Sequence, residues 1–246
     1  FHVTPSKGYF HCFGCQTGGD VIAFLMKIDH LSFTETIERL ADRMGYTLRY
    51  EEYSGGSKAP VGNRSRLVAA HVEAAKFFQN LLNTSPDAQV GRELLTKRGF
   101  DRAACEAFGV GYAPDQWDSL FKFLKGKGFT EEELMLAGLV KEGTKGPIDR
   151  YRNRLIWPVK DISGDVVGFG ARKLASDTED QGPKYLNTSE TPIYKKSQVL
   201  YGLDVAKKEI AKKRQVVVVE GYTDVMACHL AGITTAVATC GTALGP

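Results

Sequence analysis

The sequence predicts a multidomain chain of mixed class, α+β passing into α/β. Three observations carry that prediction. A Cys-x-x-Cys knuckle, Cys12-Phe13-Gly14-Cys15, follows a short alternating stretch in the first 50 residues. Apolar residues then recur at helical spacing from Leu67 to Gly138, and at Arg150 the period changes to that of strands. Last, Val216-Val217-Val218-Val219, a helical segment and Ile233–Thr239 form a βαβ unit, which begins a parallel sheet.

The elements follow in order. Gly8 to Phe13 alternates like a short strand, Gly18-Gly19 predicts a turn, and Asp20 caps a helix through Val21, Phe24, Leu25 and Ile28. Ser32-Phe33-Thr34-Glu35 is a capping box. Its helix places Ile37, Leu40, Ala41 and Met44 on one side and ends at Gly45. Residues 51–66 are poor in apolar groups and rich in Gly and Ser, so they read as a flexible linker. Val68, Val72, Ala75, Phe78, Leu81 and Leu82 make the apolar stripe of the next helix. Further helices hold Leu94-Leu95 (ending near Arg98-Gly99), Ala103 with Ala107 and Phe108, Trp117 to Leu124, and the segment that a Thr130/Glu133 box opens and Gly138 ends. Arg154 to Val159 and Val166 to Arg172 are strands joined at Ser163-Gly164-Asp165. Ser176 to Lys196 is too polar to pack as core. Asp204 to Arg214 reads as a basic amphipathic helix, Val216 to Val219 as a buried strand, and Asp224 to Ala231 as a helix.

Composition bounds the function. Of 246 residues, 43% are hydrophobic and 25% charged, which excludes collagen, coiled coil and wholesale disorder. No apolar run approaches the ~20 residues of a membrane span, so no membrane partner is expected. Five cysteines in no regular framework, with no signal peptide, point to a reducing compartment such as the cytoplasm. The net charge of +3 is unevenly spread. Pro147 to Gln215 carries 14 basic and 9 acidic residues, a net +5, against −2 for the remainder.

Three groups of residues can carry chemistry. Cys12 and Cys15 have the spacing of half a tetrahedral zinc site, or of a free or redox-active thiol pair; His11 alternates to the opposite face of the strand. Glu220-Gly221-Tyr222-Thr223-Asp224 lies at the carboxyl end of a strand, where open α/β sheets place their sites. Two carboxylates there suit a divalent cation, although Asp224 also suits a helix cap. The third group is basic. Arg150, Arg152 and Arg154 alternate as if on one strand face, Arg172 ends a strand, and Lys184-Tyr185-Leu186-Asn187 and Tyr194-Lys195-Lys196 interleave cations with rings and an amide. Such a surface holds phosphates while rings stack on bases; any one lysine alone reads as a solvated charge.

Taken in order, these motifs resemble the bacterial replicative DNA primase (DnaG type). The zinc-domain pattern is Tyr9-Phe10-His11-Cys12-Phe13-Gly14-Cys15 followed by Gly18-Gly19-Asp20-Val21-Ile22-Ala23-Phe24. The core patterns are Arg150-Tyr151-Arg152-Asn153-Arg154, Gly168-Phe169-Gly170-Ala171-Arg172, Pro183-Lys184-Tyr185-Leu186-Asn187 with Glu190-Thr191, and Leu200-Tyr201-Gly202-Leu203. Val219 to Val225 is similar to the opening motif of a TOPRIM domain.

The resemblance implies a truncated zinc ribbon of CHC2 type over residues 1–50, a linker over 51–66, a basic, mixed α/β N-terminal subdomain of the polymerase core over 67–213, and the first βαβ unit of a TOPRIM domain over 214–246. It implies a DNA-dependent RNA polymerase that starts short RNA primers on single-stranded DNA from ribonucleoside triphosphates. Zn²⁺ falls to Cys12 and Cys15, and Mg²⁺ or Mn²⁺ to Glu220, with Asp224 its motif partner. The template and nucleotide surface falls to Arg98, Arg150, Arg152, Arg154, Arg172, Lys184, Tyr185, Asn187 and Lys196. The family's first zinc pair precedes the stretch that matches Phe1, and its later TOPRIM acids follow Thr242-Ala243-Leu244. The chain by itself is therefore expected to be a fragment that makes no primers, without the region that docks the replicative helicase. A non-catalytic single-stranded DNA and zinc module is the alternative, as is another TOPRIM protein. The knuckle and the Lys184–Asn187 motif argue against a topoisomerase, and the linker and basic middle region against a phage primase–helicase.

Overall fold

A computed structural model describes residues 1–28, 33–46, 48, 64–176, 178 and 180–241, without the side chains of Glu35 and Asp42. His30, the Ser32 capping box, residues 51–63 of the expected linker and Thr242 to Pro246 lie outside the described residues. The chain divides into two compact units, Phe1–Ser65 and Arg66–Pro246.

The first unit is an antiparallel ribbon with two helices. Strands β1 (His2–Thr4), β2 (Tyr9–Cys12) and β3 (Thr17–Gly19) pair in that order. Phe10 points inward, edge-on to Phe24 at 5.1 Å and stacked on Phe1 at 5.6 Å. Helix α1 (Val21–Ile28) starts at the expected cap, where the Ala23 amide donates to Asp20 Oδ1 at 2.8 Å. Helix α2 (Phe33–Met44) gives way to Gly45 at φ +66°. Gly18-Gly19 is strand, contrary to the expected turn; the turn is Phe13 to Gln16. These glycines serve close approach. A Cβ on Gly18 would meet Tyr9 Oη at 2.5 Å, and one on Gly19 would meet Ala23 Cβ at 2.6 Å.

Helix α3 (Arg64–Thr84) begins within the last three residues of the expected linker, and the second unit starts in its first turn, at Arg66. Its buried face is Leu67, Ala70, His71, Ala74, Phe78 and Leu82, turned from the expected stripe so that Val68, Val72 and Ala75 are only half-buried. Small residues decide this. A Cβ on Gly111 would sit 2.5 Å from Phe78 Cβ, so helix and strand meet backbone to backbone. Helices α4 (Gln89–Lys97) and α5 (Arg102–Ala107) lead to strand β4 (Gly111–Ala113), then to α6 (Ser119–Gly126) and α7 (Glu131–Leu136). The Thr130/Glu133 capping box on α7 is formed in both directions.

Strands β5 (Val140–Gly143) and β6 (Gly146–Asp149) make a two-stranded ribbon. Strands β7 (Arg154–Lys160), β8 (Val166–Lys173) and β9 (Tyr185–Asn187) join β4 in an antiparallel sheet ordered β4-β7-β8-β9. Strand β7 starts only at Arg154, because Asn153 takes φ +49°. Arg150 and Arg152 are therefore loop residues and do not share a strand face with Arg154. The polar stretch 176–196 contributes more core than its composition suggests: β9 lies within it, and Tyr194, Thr188 and Thr191 are buried.

Strand β10 (Leu200–Tyr201), helix α8 (Leu203–Lys213), strand β11 (Val217–Val219), helix α9 (Tyr222–Leu230) and strand β12 (Ala236–Thr239) complete the chain. Strands β11 and β12 are parallel around α9, as the sequence predicts. The sheet order is β10-β12-β11. That leaves β11 at an edge with Val218 45% exposed, whereas the expectation was a buried strand. Among the described residues no helix is long and apolar enough to cross a membrane.

His71 makes α3 sensitive to acid. It is fully buried, its Nδ1 lies 2.8 Å from the Leu67 carbonyl, its ring stacks on Phe169 at 5.5 Å, and Nε2 has no partner. Burial lowers its pKa from 6.5 to about 4. The folded state thus holds the neutral form, and the unfolded chain takes the proton first. Stability is full above pH 6.5 and falls as pH drops toward 4, by about 3 kcal/mol in all. Urea unfolding at pH 7 and pH 4.5 checks this. His71→Leu should lose less stability between the two values than the unsubstituted chain, and an equal loss would rule His71 out as the cause.

Candidate functional site

In the first unit, Cys12 ends β2 and Cys15 sits in the turn that follows. Cys15 is exposed, and hydrogen bonds from the Thr17 hydroxyl and amide, with a smaller one from Cys12, hold its thiol down at about 7. A thiol so placed is available as thiolate, the form that binds metal. No group of three or more His, Cys, Asp or Glu side chains among the described residues is arranged to hold an ion. The pair fits zinc in donor type but supplies two of the four donors of a structural site. His11 lies across β1 from His2, and its Nδ1 is buried without a partner.

In the second unit, the acidic turn leaves the carboxyl end of β11. Glu220 is exposed. Asp224 is exposed too, and its Oδ2 accepts from the Gly221 amide at 3.0 Å, so it does cap α9. These two carboxylates fit a hard divalent cation in kind, but with no third such donor beside them they make no complete centre among the described residues.

The turn is seated by its own aromatic residue. Tyr222, 7% exposed, stacks on Trp157 at 6.0 Å and meets Tyr201 edge-on at 4.7 Å. Its ring fills the space above Gly170, where a Cβ would lie 2.2 Å from Cε2. Its hydroxyl donates to Asn187 Oδ1 at 2.7 Å, and Asn187 Nδ2 donates to the Cys240 carbonyl at 2.7 Å. Arg98, at the carboxyl end of α4, donates from Nη1 to Thr223 Oγ1 at 3.2 Å.

Strand register explains which basic residues join this turn. Gly170 pairs with Asn187 and Arg172 with Tyr185 across β8 and β9. Residues two apart on a strand share a face. Arg172, Tyr185 and Asn187 therefore stand on the face that receives Tyr222. Arg172 Nε is buried without a partner, and Tyr185 is 48% exposed. Lys184 is exposed just before β9, and Lys196 is half-buried at the start of a single 3₁₀ turn.

Arg150, Arg152 and Arg154 line a different place, a cleft of about 520 Å³ that also takes in Trp117, Lys141, Asp180 and Leu186. Arg152 lies over the Trp117 ring, its Cζ 3.4 Å from the centroid. Arg150 donates to the Asn187 carbonyl at 3.0 Å. Arg154 is buried, donating to the Pro183 carbonyl at 2.9 Å and paired with Asp180 at 3.2 Å. Buried Lys173 reaches the Asp180 and Gly182 carbonyls. Two cations thus staple the loop that leads to Lys184 and Tyr185. Sequence reasoning passed over Trp117, Lys173 and Asp180 as site residues. The only trace was a tryptophan at a helix start, which reads equally as core.

Comparisons with known proteins agree with the motifs. Residues 77–207 match the family model of the DNA primase catalytic core, N-terminal domain. Residues 1–55 match the CHC2 zinc finger, and residues 214–246 the Toprim domain. The DNA primase of Streptomyces coelicolor is 64% identical over 245 residues, covering 100% of this chain and 38% of its own. That of Clostridium acetobutylicum is 40% identical over 246 residues, covering 99% of this chain and 39% of its own. The chain thus spans about two fifths of the length of these curated relatives. The RNA polymerase domain of Mycobacterium tuberculosis primase, solved with a double-stranded DNA oligomer carrying a 6-nucleotide overhang, is 55% identical with a TM-score of 0.73, over 76% of this chain and 58% of that one. The zinc-binding and RNA polymerase domains of Aquifex aeolicus primase are 33% identical with a TM-score of 0.68, over 99% of this chain and 57% of that one. With primase-core, zinc-ribbon and Toprim models matched in order, and α+β elements giving way to a βαβ unit, this chain belongs to the DnaG-type bacterial DNA primase family.

Proposed function

We propose that this segment, within a full-length chain of its relatives' size, serves DNA-templated synthesis of short RNA primers during replication in the bacterial cytoplasm. The observation that carries the reading is the seating of the acidic turn, through Tyr222, on the sheet face that bears Arg172, Tyr185 and Asn187, with Arg98 against Thr223. A carboxylate beside cations and an exposed ring is what nucleotidyl transfer asks of a protein: phosphates are neutralised, a base is stacked, and a proton acceptor stands near the attacking hydroxyl.

In this reading Arg98, Arg172, Lys184 and Lys196 face phosphates of the ribonucleoside triphosphate and template, and Tyr185 offers its ring to a base. Arg150 and Arg152, with Trp117 beneath, hold single-stranded template in the cleft, and Arg154 shapes the loop beside it. The complex of the Mycobacterium tuberculosis relative's RNA polymerase domain with a double-stranded DNA oligomer bearing a 6-nucleotide overhang supports DNA binding by this segment. Glu220 is the residue that would hold Mg²⁺ or Mn²⁺, whose chemistry is to neutralise the triphosphate and its leaving pyrophosphate. Cys12 and Cys15 would hold Zn²⁺ together with donors beyond the described residues. Because the described carboxylates complete no metal centre, the 246-residue chain by itself should bind template without making primers. The RNA primer and the replicative helicase belong to the full-length chain.

The test is de novo RNA synthesis on single-stranded DNA by the full-length chain, together with salt-dependent template binding. Arg152→Ala should weaken binding across template sequences and lower the log–log salt slope by about 0.7, one phosphate contact. An unchanged slope and affinity would remove Arg152 from the template path.

A further inference from the structure

We propose that Asn187 is a positioning residue: its side-chain amide fixes the Glu220–Asp224 turn through the Tyr222 hydroxyl, and it does so without touching nucleotide or template. The inference rests on the synthetic function proposed above. It revises the sequence reading of Asn187 as a nucleotide contact.

Both ends of the amide are engaged inside the protein. The Cys240 carbonyl can only accept, so it orients Nδ2 toward itself at 2.7 Å. Oδ1 must then accept, and the Tyr222 hydroxyl donates to it at 2.7 Å. Asn187 thereby ties three elements together: β9, which carries it, the first turn of α9, and the end of β12. A third tie comes from the Asn187 backbone, whose carbonyl accepts from Arg150 at 3.0 Å.

Tyr222 is the right handle for this purpose. It stands two residues from Glu220 on one side and two from Asp224 on the other. Its ring is boxed by Trp157, Tyr201 and the bare backbone at Gly170, so it cannot swing about its own axis of attachment. The ring sets where the turn lies, and the hydroxyl sets how far it reaches toward β9. Asp224 closes the turn from within through the Gly221 amide, and the Asp224 and Val225 amides both return to the Gly221 carbonyl at 3.1 Å. A carboxylate on such a turn is held in place without any hydrogen bond of its own.

The experiment compares Tyr222→Phe, Asn187→Ala and the double variant in the full-length chain. Tyr222→Phe keeps the ring and removes only the donor. Each single variant should lower kcat about tenfold, with KM for nucleotide and Kd for single-stranded DNA within about twofold of the unsubstituted values. The double variant should be no slower than the slower single, since both remove the same Tyr222–Asn187 hydrogen bond. In Tyr222→Phe, far below its Tm, the Asp224 and Val225 amides should exchange hydrogen faster. A raised nucleotide KM in Asn187→Ala alone would overturn the proposal in favour of direct contact. Multiplying effects would also overturn it, as would a drop in Tm with kcat and exchange unchanged. A full-length chain that makes no primers would refute the functional reading instead; unchanged amide exchange would then still refute the positioning role.

Discussion

Glu220→Ala in the full-length chain should abolish primer synthesis, by about 10²–10³-fold, while single-stranded DNA binds as before. The side chain is exposed at the end of β11, so its removal leaves no cavity and no unpaired partner in the core. Tm should therefore stay within about 1 °C, and any loss of activity is chemical. The proposed template surface lies on other residues, chiefly the Arg150 and Arg152 cleft and the Arg172 face, so template Kd should be unchanged. This outcome separates an enzyme from a module that only binds single-stranded DNA and zinc. Synthesis at the unsubstituted rate would exclude Glu220 from the chemistry and return the segment to the binding class.

Gly170→Ala should destabilise the second unit by about 3 kcal/mol or more, which lowers Tm by roughly 6–12 °C for a domain of this size. The added Cβ would lie 2.2 Å from Tyr222 Cε2, 2.3 Å from Cζ and 2.5 Å from Oη. No rotamer of Tyr222 relieves this, because Trp157 and Tyr201 close the other sides. The ring has to leave, and its bond to Asn187 goes with it. Removing the ring removes the clash, so Gly170→Ala combined with Tyr222→Ala should cost far less than the two changes added together. Thermal unfolding of the two singles and the double measures this directly. A Gly170→Ala chain that melts with the unsubstituted one would show that the ring is not confined.

The motifs were legible because each is short and local. Cys12-Phe13-Gly14-Cys15, the capping residues Asp20 and Thr130, and the βαβ unit from Val217 to Thr239 depend on neighbours within a few turns of chain. Their order along the chain resembled one family, and family models matched in the same order. What misled was also local reasoning. Arg150, Arg152 and Arg154 alternate in sequence, but a left-handed Asn153 ends that regularity, and three apparent equals became a donor to the Asn187 carbonyl of β9, a cation on Trp117 and a buried staple. The 176–196 stretch looked too polar for a core, yet its few apolar and threonine side chains meet partners from β8 and are buried.

The sequence by itself therefore determined the class of fold, the order of domains and the residue types available for chemistry, since these follow from periodicity and from the intrinsic properties of thiols, carboxylates and cations. Only the tertiary structure decided which of those residues meet. Strand register put Arg172, Tyr185 and Asn187 on one face and Leu186 on the other, and a one-residue change would have exchanged them. The absence of a side chain at Gly170 let Tyr222 bring the acidic turn to that face. Pairing across long sequence separations sets such contacts through packing, and packing depends on every partner at once.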